Sequence, residues 1–196
     1  MADIHYLDEP LETEGLLELL CPPVRNWFKD KFPDFTEPQK LAIPAIMDQE
    51  HLLLCSPTGS GKTLTAFLTI IDQLVRRALD NKLDKRVYCV YISPIKALAN
   101  DIQRNLIGPL TEISETYLPS RAQEIRVGLR TGDTPQSERQ KMLRNPPHIL
   151  ITTPESLAIA ITSPRFQPIV SEVEYMIVDE LHSLVPTKRG VHLALT

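Results

Sequence analysis

Hydrophobic and polar residues alternate along the chain in blocks that predict short strands separated by helices. Apolar runs of strand length predict strands near residues 51–55, 87–92, 125–130, 148–152 and 174–178. After the first of these, apolar residues recur at the 3.6-residue spacing of a helix with one buried face: Leu64, Phe67, Leu68, Ile71, Leu74 and Val75. This alternation predicts an α/β fold, with a mostly parallel sheet covered by helices on both faces.

The first 50 residues carry helical patterns and no strand. Helices are expected over residues 11–20, 24–31 and 35–50, and again over residues 101–106 and 136–143. We therefore predict a short helical extension over residues 1–35 and a single α/β domain over residues 36–196. The length of 196 residues suits that organisation.

Composition and charge narrow the function classes. Residues 1–50 contain 11 acidic and 4 basic residues, a net charge of −7. Residues 51–196 contain 14 acidic and 17 basic residues, a net charge of +3. The larger part is therefore compatible with a local phosphate-binding surface, although the whole chain is at −4. Cys21, Cys55 and Cys89 form no C-x-x-C pair, so no zinc or iron–sulfur pattern is present. With no signal peptide or membrane-length apolar run, a reduced, cytoplasmic location is expected.

The segment LLLCSPTGSGKT, residues 52–63, has the pattern of a phosphate-binding loop between a strand and a helix. Its first glycine is replaced by Ser56, but the two glycines nearest the lysine are present. Lys62 is expected to reach the β- and γ-phosphates of a nucleotide and Thr63 to hold Mg²⁺. The predicted nucleotide-binding residues are Ser56, Thr58, Gly59, Ser60, Gly61, Lys62 and Thr63.

A second segment, EYMIVDELH, places two acids directly after an apolar strand. Beside a phosphate loop, Asp179 is expected to hold Mg²⁺ and Glu180 to act as the general base on the attacking water. Without such a loop, the same acids would be interpreted as the solvated end of a strand.

Gln39 has two interpretations that do not exclude each other. Thr36-x-x-Gln39 is a capping box, which needs no ligand. The glutamine amide could also pair with the donor and acceptor edges of adenine.

Three Ser/Thr-Pro pairs follow predicted strands: Ser93-Pro94, Thr134-Pro135 and Thr153-Pro154. In each, the hydroxyl is expected to cap a helix and proline to take its first position. In a parallel sheet these helix starts share the carboxyl edge of the strands, where their N–H groups would form a row of anion sites. Taken singly, each pair is simply a common way to begin a helix.

Together these segments resemble a known family. PTGSGKT, SPIKALAND, TPESL and VDELH are similar to motifs I, Ia, Ib and II of superfamily 2 helicases of the DExH type, and FTEPQ resembles their adenine-recognising Q motif. SPIKALAND with VDELHSLVPTKRGVHLAL resembles the Lhr (large helicase-related) group of DNA helicases.

The resemblance implies two RecA-like domains with ATP between them and single-stranded nucleic acid across both. This chain supplies the first, a RecA-like P-loop NTPase domain. It ends before motif III and the second domain with its arginine finger, so we expect a fragment with little ATPase activity. By motif, the nucleic-acid track comprises Ser93, Pro94, Lys96, Thr131, Gly132, Thr153 and Glu155, and His182 couples the two sites. Lys188 and Arg189 either contact the strand or form a solvated basic turn.

The implied function is ATP- and Mg²⁺-dependent translocation along single-stranded DNA, 3′ to 5′, with displacement of the complementary strand. An RNA helicase or ribonucleoprotein remodeller uses the same motifs. A nucleic-acid-binding module with a vestigial loop is the third possibility.

Overall fold

The structure is a computed structural model that describes residues 4–57, 59–93 and 102–195. Three predicted site residues, Thr58, Pro94 and Lys96, lie outside these ranges. The chain divides into two compact units. One consists of Met1–Asp80 and Gln103–Ala122, and the other of Asn81–Ile102 and Gln123–Thr196.

The first unit is helical in its described residues. Its helices are α1 (Thr13–Leu19), α2 (Pro22–Lys31), α3 (Glu37–Met47), α4 (Lys62–Leu79) and α5 (Gly108–Thr116), the last preceded by a π-helical turn over Gln103–Ile107. All six apolar residues predicted to form the buried face of α4 are buried, which confirms the periodicity. Helices α2 and α3 pack against α4.

A buried carboxylate ties three of these helices together. Asp72 of α4 is fully buried and accepts hydrogen bonds from the backbone N–H of Cys21 at 2.6 Å and from Arg76 Nε at 2.7 Å. Arg76 Nη2 also donates to the carbonyl of Leu19 at 2.6 Å. The last residue of α1 and the residue that precedes α2 are therefore attached to α4 through one polar cluster.

The second unit contains a four-stranded parallel sheet. Its strands are β1 (Cys89–Ile92), β2 (Val127–Arg130), β3 (Ile149–Thr152) and β4 (Tyr175–Val178), in the order β2-β3-β1-β4. Its helices are α6 (Gln136–Arg144), α7 (Pro154–Ile161), α8 (Gln167–Val170), α9 (Leu181–Leu184) and α10 (Lys188–Ala194). Four of the five predicted strands are thus confirmed, and the carboxyl ends of all four meet at one edge.

Burial explains why the central strands are almost entirely apolar, the exception being Thr152, whose hydroxyl donates to the Arg130 carbonyl at 2.8 Å. Every residue of β1 and β3 is buried, whereas the edge strands β2 and β4 are partly exposed. On one face, Val90 and Leu150 join the same core as Leu157 and Ala160 of α7 and Phe166 beyond it. A strand covered on both sides cannot carry polar side chains without partners, so continuous apolar runs mark these two.

The predicted strand over residues 51–55 is wrong, because the structure has no strand from residue 51 to 57. Leu53 is 71% exposed, and no described strand pairs with this segment. An apolar run has strand propensity, but a strand also needs a neighbour to complete its hydrogen bonds. Among the helices that the structure describes, none is long and apolar enough to cross a membrane.

Candidate nucleotide and nucleic-acid site

The phosphate loop has the backbone shape that its glycines predict. Gly59 has φ +81° and Gly61 has φ +87°, a region that residues with a Cβ rarely adopt. Gly61 directly precedes the first residue of α4, so the loop leads into the N-terminus of an 18-residue helix. Free N–H groups and the helix dipole favour an anion at that position.

Hydrogen bonds within the loop give Ser56 a structural role. The Ser56 and Ser60 hydroxyls lie 2.6 Å apart, which links the two sides of the loop. The Lys62 ammonium donates to the carbonyl oxygens of Ser56 and of Pro57, the latter at 2.7 Å. Ser56 therefore adds a side-chain cross-link within the loop that a glycine could not make.

The capping box at the start of α3 is confirmed and contacts the phosphate loop. The Thr36 N–H donates to Gln39 Oε1 at 2.9 Å, and the Thr36 hydroxyl donates to the Ser60 carbonyl at 2.9 Å. Gln39 is only 3% exposed, and a Cβ added at Gly61 would lie 2.9 Å from its Nε2. Thus the Q-motif glutamine and the loop form one packed group, while adenine recognition by Gln39 stays a prediction.

In the second unit, Asp179 is held by donors from two sides. Its Oδ1 accepts from the Glu180 N–H at 2.9 Å, and its Oδ2 accepts from the Tyr91 hydroxyl. Tyr91 lies on β1, beside β4, and is 1% exposed. Tyr91 was not among the predicted site residues, although a tyrosine in a fully buried strand signals that its hydroxyl needs a partner.

Glu180 has a left-handed backbone conformation, with φ +50°. Such conformations are unfavourable for residues other than glycine and are concentrated at functional sites. The Glu180 carbonyl accepts from both the N–H and the hydroxyl of Ser183, each at 2.8 Å, which stabilises this turn. Its carboxylate lies 3.2 Å from Nε2 of His182, an exposed ring. Glu180 and His182, predicted to act in hydrolysis and in coupling, are therefore in contact.

The three predicted helix starts have different outcomes. Thr153 caps α7 by accepting from the Ser156 N–H at 3.4 Å, with Pro154 in the first helical position, as predicted. The prediction for Thr134-Pro135 is wrong, because Pro135 takes the capping position of α6. The helix expected after Ser93 lies outside the described residues.

The Thr134 hydroxyl is used within its own loop. It accepts from the Thr131 N–H at 2.7 Å and closes a tight turn around Gly132. Arg139 of α6 donates to the carbonyls of Thr131, Gly132 and Thr134 at 2.9–3.2 Å. The Thr134 hydroxyl is thus used within the turn, and Pro135 takes the capping position of α6. Arg139 was not predicted either, since nothing in its spacing indicates that it supports this loop.

Glu155 and Arg189, both predicted to lie on the nucleic-acid track, pair with each other. Arg189 donates through Nε to one Glu155 oxygen and through Nη2 to the other at 3.1 Å. This hydrogen-bonded guanidinium lowers the pKa of Glu155 to about 2. The pair joins α7 to α10. Lys188 and Arg189 lie at the start of a helix and not in a turn, and their contact with nucleic acid stays a prediction.

Gly190 of α10 is required by the close contact between α9 and α10. A Cβ at this position would collide with the backbone of Leu184 at the end of α9. The glycine thereby allows α9 and α10 to approach closely.

The predicted residues are thus distributed between the two units. The phosphate loop and Gln39 belong to the first, and the acids after β4 belong to the second with the described residues of the nucleic-acid track. Within each unit, residues that were predicted from the sequence contact one another through hydrogen bonds.

The chain is similar in sequence to a family of helicases. A family model described as DEAD/DEAH box helicase matches residues 36–195. The ATP-dependent helicase Lhr-Core of Methanocaldococcus jannaschii is 50% identical across 100% of this chain and 23% of its own length. The Lhr helicase/uracil glycosylase of Escherichia coli is 45% identical across 96% of this chain and 13% of its own length. The chain therefore spans less than a quarter of these curated relatives.

Solved helicase structures also resemble this chain in fold. The helicase Lhr of Mycobacterium smegmatis, bound to ssDNA and AMP-PNP, matches with a TM-score of 0.79 and 43% identity, over 91% of this chain and 22% of that one. The DEAD-box helicase Mss116, bound to ssRNA and UDP-BeF, matches with a TM-score of 0.77 over 98% of this chain and 38% of that one. At 23% identity the second match concerns the fold alone. Both confirm the α/β fold class, and the relatives confirm the resemblance to the Lhr group.

Proposed function

Because the chain belongs to the DEAD/DEAH box helicase family, we propose that it forms the first RecA-like motor domain of an Lhr-like DNA helicase. In this proposal ATP hydrolysis drives movement along single-stranded DNA and separates the complementary strand. The observation that carries the proposal is the phosphate loop, in which two left-handed glycines lead into α4 and Lys62 stands at its first turn. The second RecA-like domain of the complete protein is the required partner.

The roles within the ATP site follow from the chemistry of each side chain. Lys62 exchanges its two carbonyl contacts for the β- and γ-phosphates, which is favourable because a phosphate oxygen carries more charge than a carbonyl oxygen. Thr63 and Asp179 hold Mg²⁺, and Glu180 positions and deprotonates the attacking water. Gln39 is assigned to the adenine.

The donor set fits Mg²⁺. This ion prefers oxygen ligands and is bound in nucleotide sites by one or two protein groups, together with phosphates and water. Asp179 offers a carboxylate whose oxygens each accept one described protein hydrogen bond, which leaves a lone pair on each. Bound Mg²⁺ would neutralise phosphate charge.

The nucleic-acid side uses backbone groups at the carboxyl edge of the sheet. In this proposal the phosphates lie beside the start of α7 at Thr153, where first-turn N–H groups can face an anion, and beside the turn at Gly132. The Thr131 N–H is already bonded to the Thr134 hydroxyl, and Arg189, which pairs with Glu155, adds a cation nearby. Ser93, Pro94, Lys96, Glu155 and Lys188 complete the proposed track. Such contacts read the backbone and not the bases, so binding should be largely independent of sequence and sensitive to salt. The ssDNA-bound relative favours DNA over RNA.

The deciding experiment uses the full-length protein with matched DNA and RNA oligonucleotides. We expect ssDNA to stimulate ATP hydrolysis more strongly than ssRNA of the same sequence. Lys62→Ala should abolish nucleotide binding. Glu180→Gln should keep binding but lose about 10²- to 10⁴-fold in turnover, the usual contribution of a general base. Normal hydrolysis by Glu180→Gln would contradict the assignment of the base.

The other outcomes point to the remaining possibilities. Stronger stimulation by RNA would favour an RNA remodeller, and Mg²⁺-independent or absent ATP binding would favour a nucleic-acid-binding module without motor activity. The 196-residue chain alone should hydrolyse ATP about 10³- to 10⁵-fold more slowly than the complete protein, because the arginine finger is expected in the second domain.

A further inference from the structure

Tyr91 and Asp179 meet across two neighbouring strands. Tyr91 of β1 is paired in register with Ile177 of β4, and Asp179 follows two residues later. The Tyr91 hydroxyl donates to Asp179 Oδ2, although the two residues are 88 positions apart in the chain. The phenol ring is almost completely buried, so its hydroxyl has a fixed direction.

The other contacts of Asp179 complete its restraint. Its own N–H donates to the Ile92 carbonyl at 2.9 Å, which extends the ladder between β1 and β4 by one residue. Its Oδ1 accepts from the Glu180 N–H at 2.9 Å. The strand ladder therefore fixes the backbone of Asp179, and the Glu180 N–H and the Tyr91 hydroxyl together fix the rotation of its carboxylate.

We propose that Tyr91 is a positioning residue for the metal-binding carboxylate of Asp179. This inference rests on the proposed function, in which Asp179 holds Mg²⁺. A carboxylate held only at Oδ1 by the Glu180 N–H keeps more freedom, which is lost each time Mg²⁺·ATP binds, whereas one also held at Oδ2 by a buried phenol is already oriented. Groups that orient metal ligands in this way commonly account for about 10- to 100-fold in metal affinity.

A purely structural role for Tyr91 makes a different prediction. A buried hydroxyl that only satisfies its own hydrogen bond contributes to folding stability and leaves the dependence on Mg²⁺ unchanged. The chain offers a matched control in Tyr88, which precedes β1 and is 2% exposed. The Tyr88 hydroxyl accepts from the Asp84 N–H at 2.9 Å, at the opposite end of the strand from Asp179.

The test compares Tyr91→Phe with Tyr88→Phe in the full-length protein. The measurement is binding of a fluorescent, non-hydrolysable ATP analogue as a function of Mg²⁺ concentration, with thermal unfolding of both variants recorded in parallel. For Tyr91→Phe we expect the half-saturating Mg²⁺ concentration to rise by about 10- to 100-fold. Tyr88→Phe should match the wild type in this titration while losing stability.

Each outcome is decisive. If Tyr91→Phe requires no more Mg²⁺ than Tyr88→Phe, the positioning role is wrong. If it binds Mg²⁺ more tightly than wild type, Tyr91 competes with the metal, which also overturns the inference. A wild-type protein without Mg²⁺-dependent ATP binding would refute the proposed function itself.

Discussion

The buried carboxylate of Asp72 should be decisive for the stability of the helical unit that carries the phosphate loop. Asp72 is fully buried, and its two described partners are the Cys21 N–H and the partly exposed Arg76 guanidinium. In Asp72→Asn the amide oxygen can still accept from Cys21, but the charge-assisted part of that bond is lost. Arg76 can be rehydrated because its side chain is 45% exposed. We therefore expect a loss of about 2 kcal/mol in the free energy of unfolding.

Removing the arginine should cost more than removing the acid. Arg76→Met leaves the Asp72 carboxylate buried with only one described donor, and an uncompensated buried charge costs about 3 kcal/mol or more. The expected order of stability is wild type, then Asp72→Asn, then Arg76→Met. Combining Asp72→Leu with Arg76→Met removes both charges together, so this double variant should recover part of the loss seen in Arg76→Met.

Two probes in the chain make the measurement specific. Trp27, the single tryptophan, lies in α2, so its fluorescence during urea unfolding reports on the element attached by Asp72. The cysteines report on local opening. Cys55 is exposed, whereas Cys21 and Cys89 are buried in different units. Burial and then the Asp72 charge raise the pKa of the Cys21 thiol to about 12, which keeps it unreactive.

In Asp72→Asn, Cys21 should react with a thiol reagent faster than in wild type, both because its thiol loses the Asp72 charge that raises its pKa and because the region opens more often, while Cys89 stays protected. Equal acceleration at both cysteines would mean that the whole chain opens and that Asp72 has no local role. An unfolding free energy unchanged from wild type, with Cys21 still protected, would refute the reasoning on the polar cluster.

Two further predictions concern the site itself. Gly61→Ala should weaken the binding of a fluorescent ATP analogue more than Gly59→Ala does. Both positions have a positive φ, which costs a residue with a Cβ about 1–2 kcal/mol, but only a Cβ at Gly61 would crowd Gln39. Equal losses of affinity in the two variants would show that the contact with Gln39 has no effect. The hydrogen bond from Arg189 lowers the pKa of Glu155 to about 2, so the stability that the pair contributes should be complete above the ordinary pKa of glutamate and be lost as the pH falls toward 2. Because both side chains are nearly half exposed, the difference in melting between wild type and Glu155→Gln should correspond to at most about 1 kcal/mol at pH 7. A difference that grows on acidification would contradict this assignment.

Short-range features were predictable because the residues that form them are close in the chain. The capping box at Thr36, the glycines of the phosphate loop and the periodic face of α4 each depend on fewer than about five neighbouring residues or one repeated spacing. The two central strands, β1 and β3, were predictable for a related reason. Burial on both faces favours a nearly continuous apolar run, which is visible in the local sequence. The partly exposed edge strands β2 and β4 were predicted from their apolar runs of strand length.

Features that depend on distant residues could not be predicted in this way. Tyr91 is 88 positions from Asp179, Glu155 is 34 from Arg189, and Asp72 is 51 from Cys21. Each of these pairs exists because the sheet or the helices bring two remote segments together. The failed strand over residues 51–55 has the same origin, since strand formation depends on a neighbour that propensity does not reveal.

Gln39 shows why a structural and a functional interpretation of one residue need not compete. The Thr36 N–H can donate only to an acceptor, so the capping contact fixes which end of the amide is the oxygen. That oxygen has a second lone pair, and the amide nitrogen, which carries two N–H donors, lies on the side that faces Gly61. The cap therefore orients the very groups that adenine recognition requires, and it does so before any nucleotide binds. A glutamine held in this way loses little side-chain entropy on binding, so the capping box supports the predicted adenine contact.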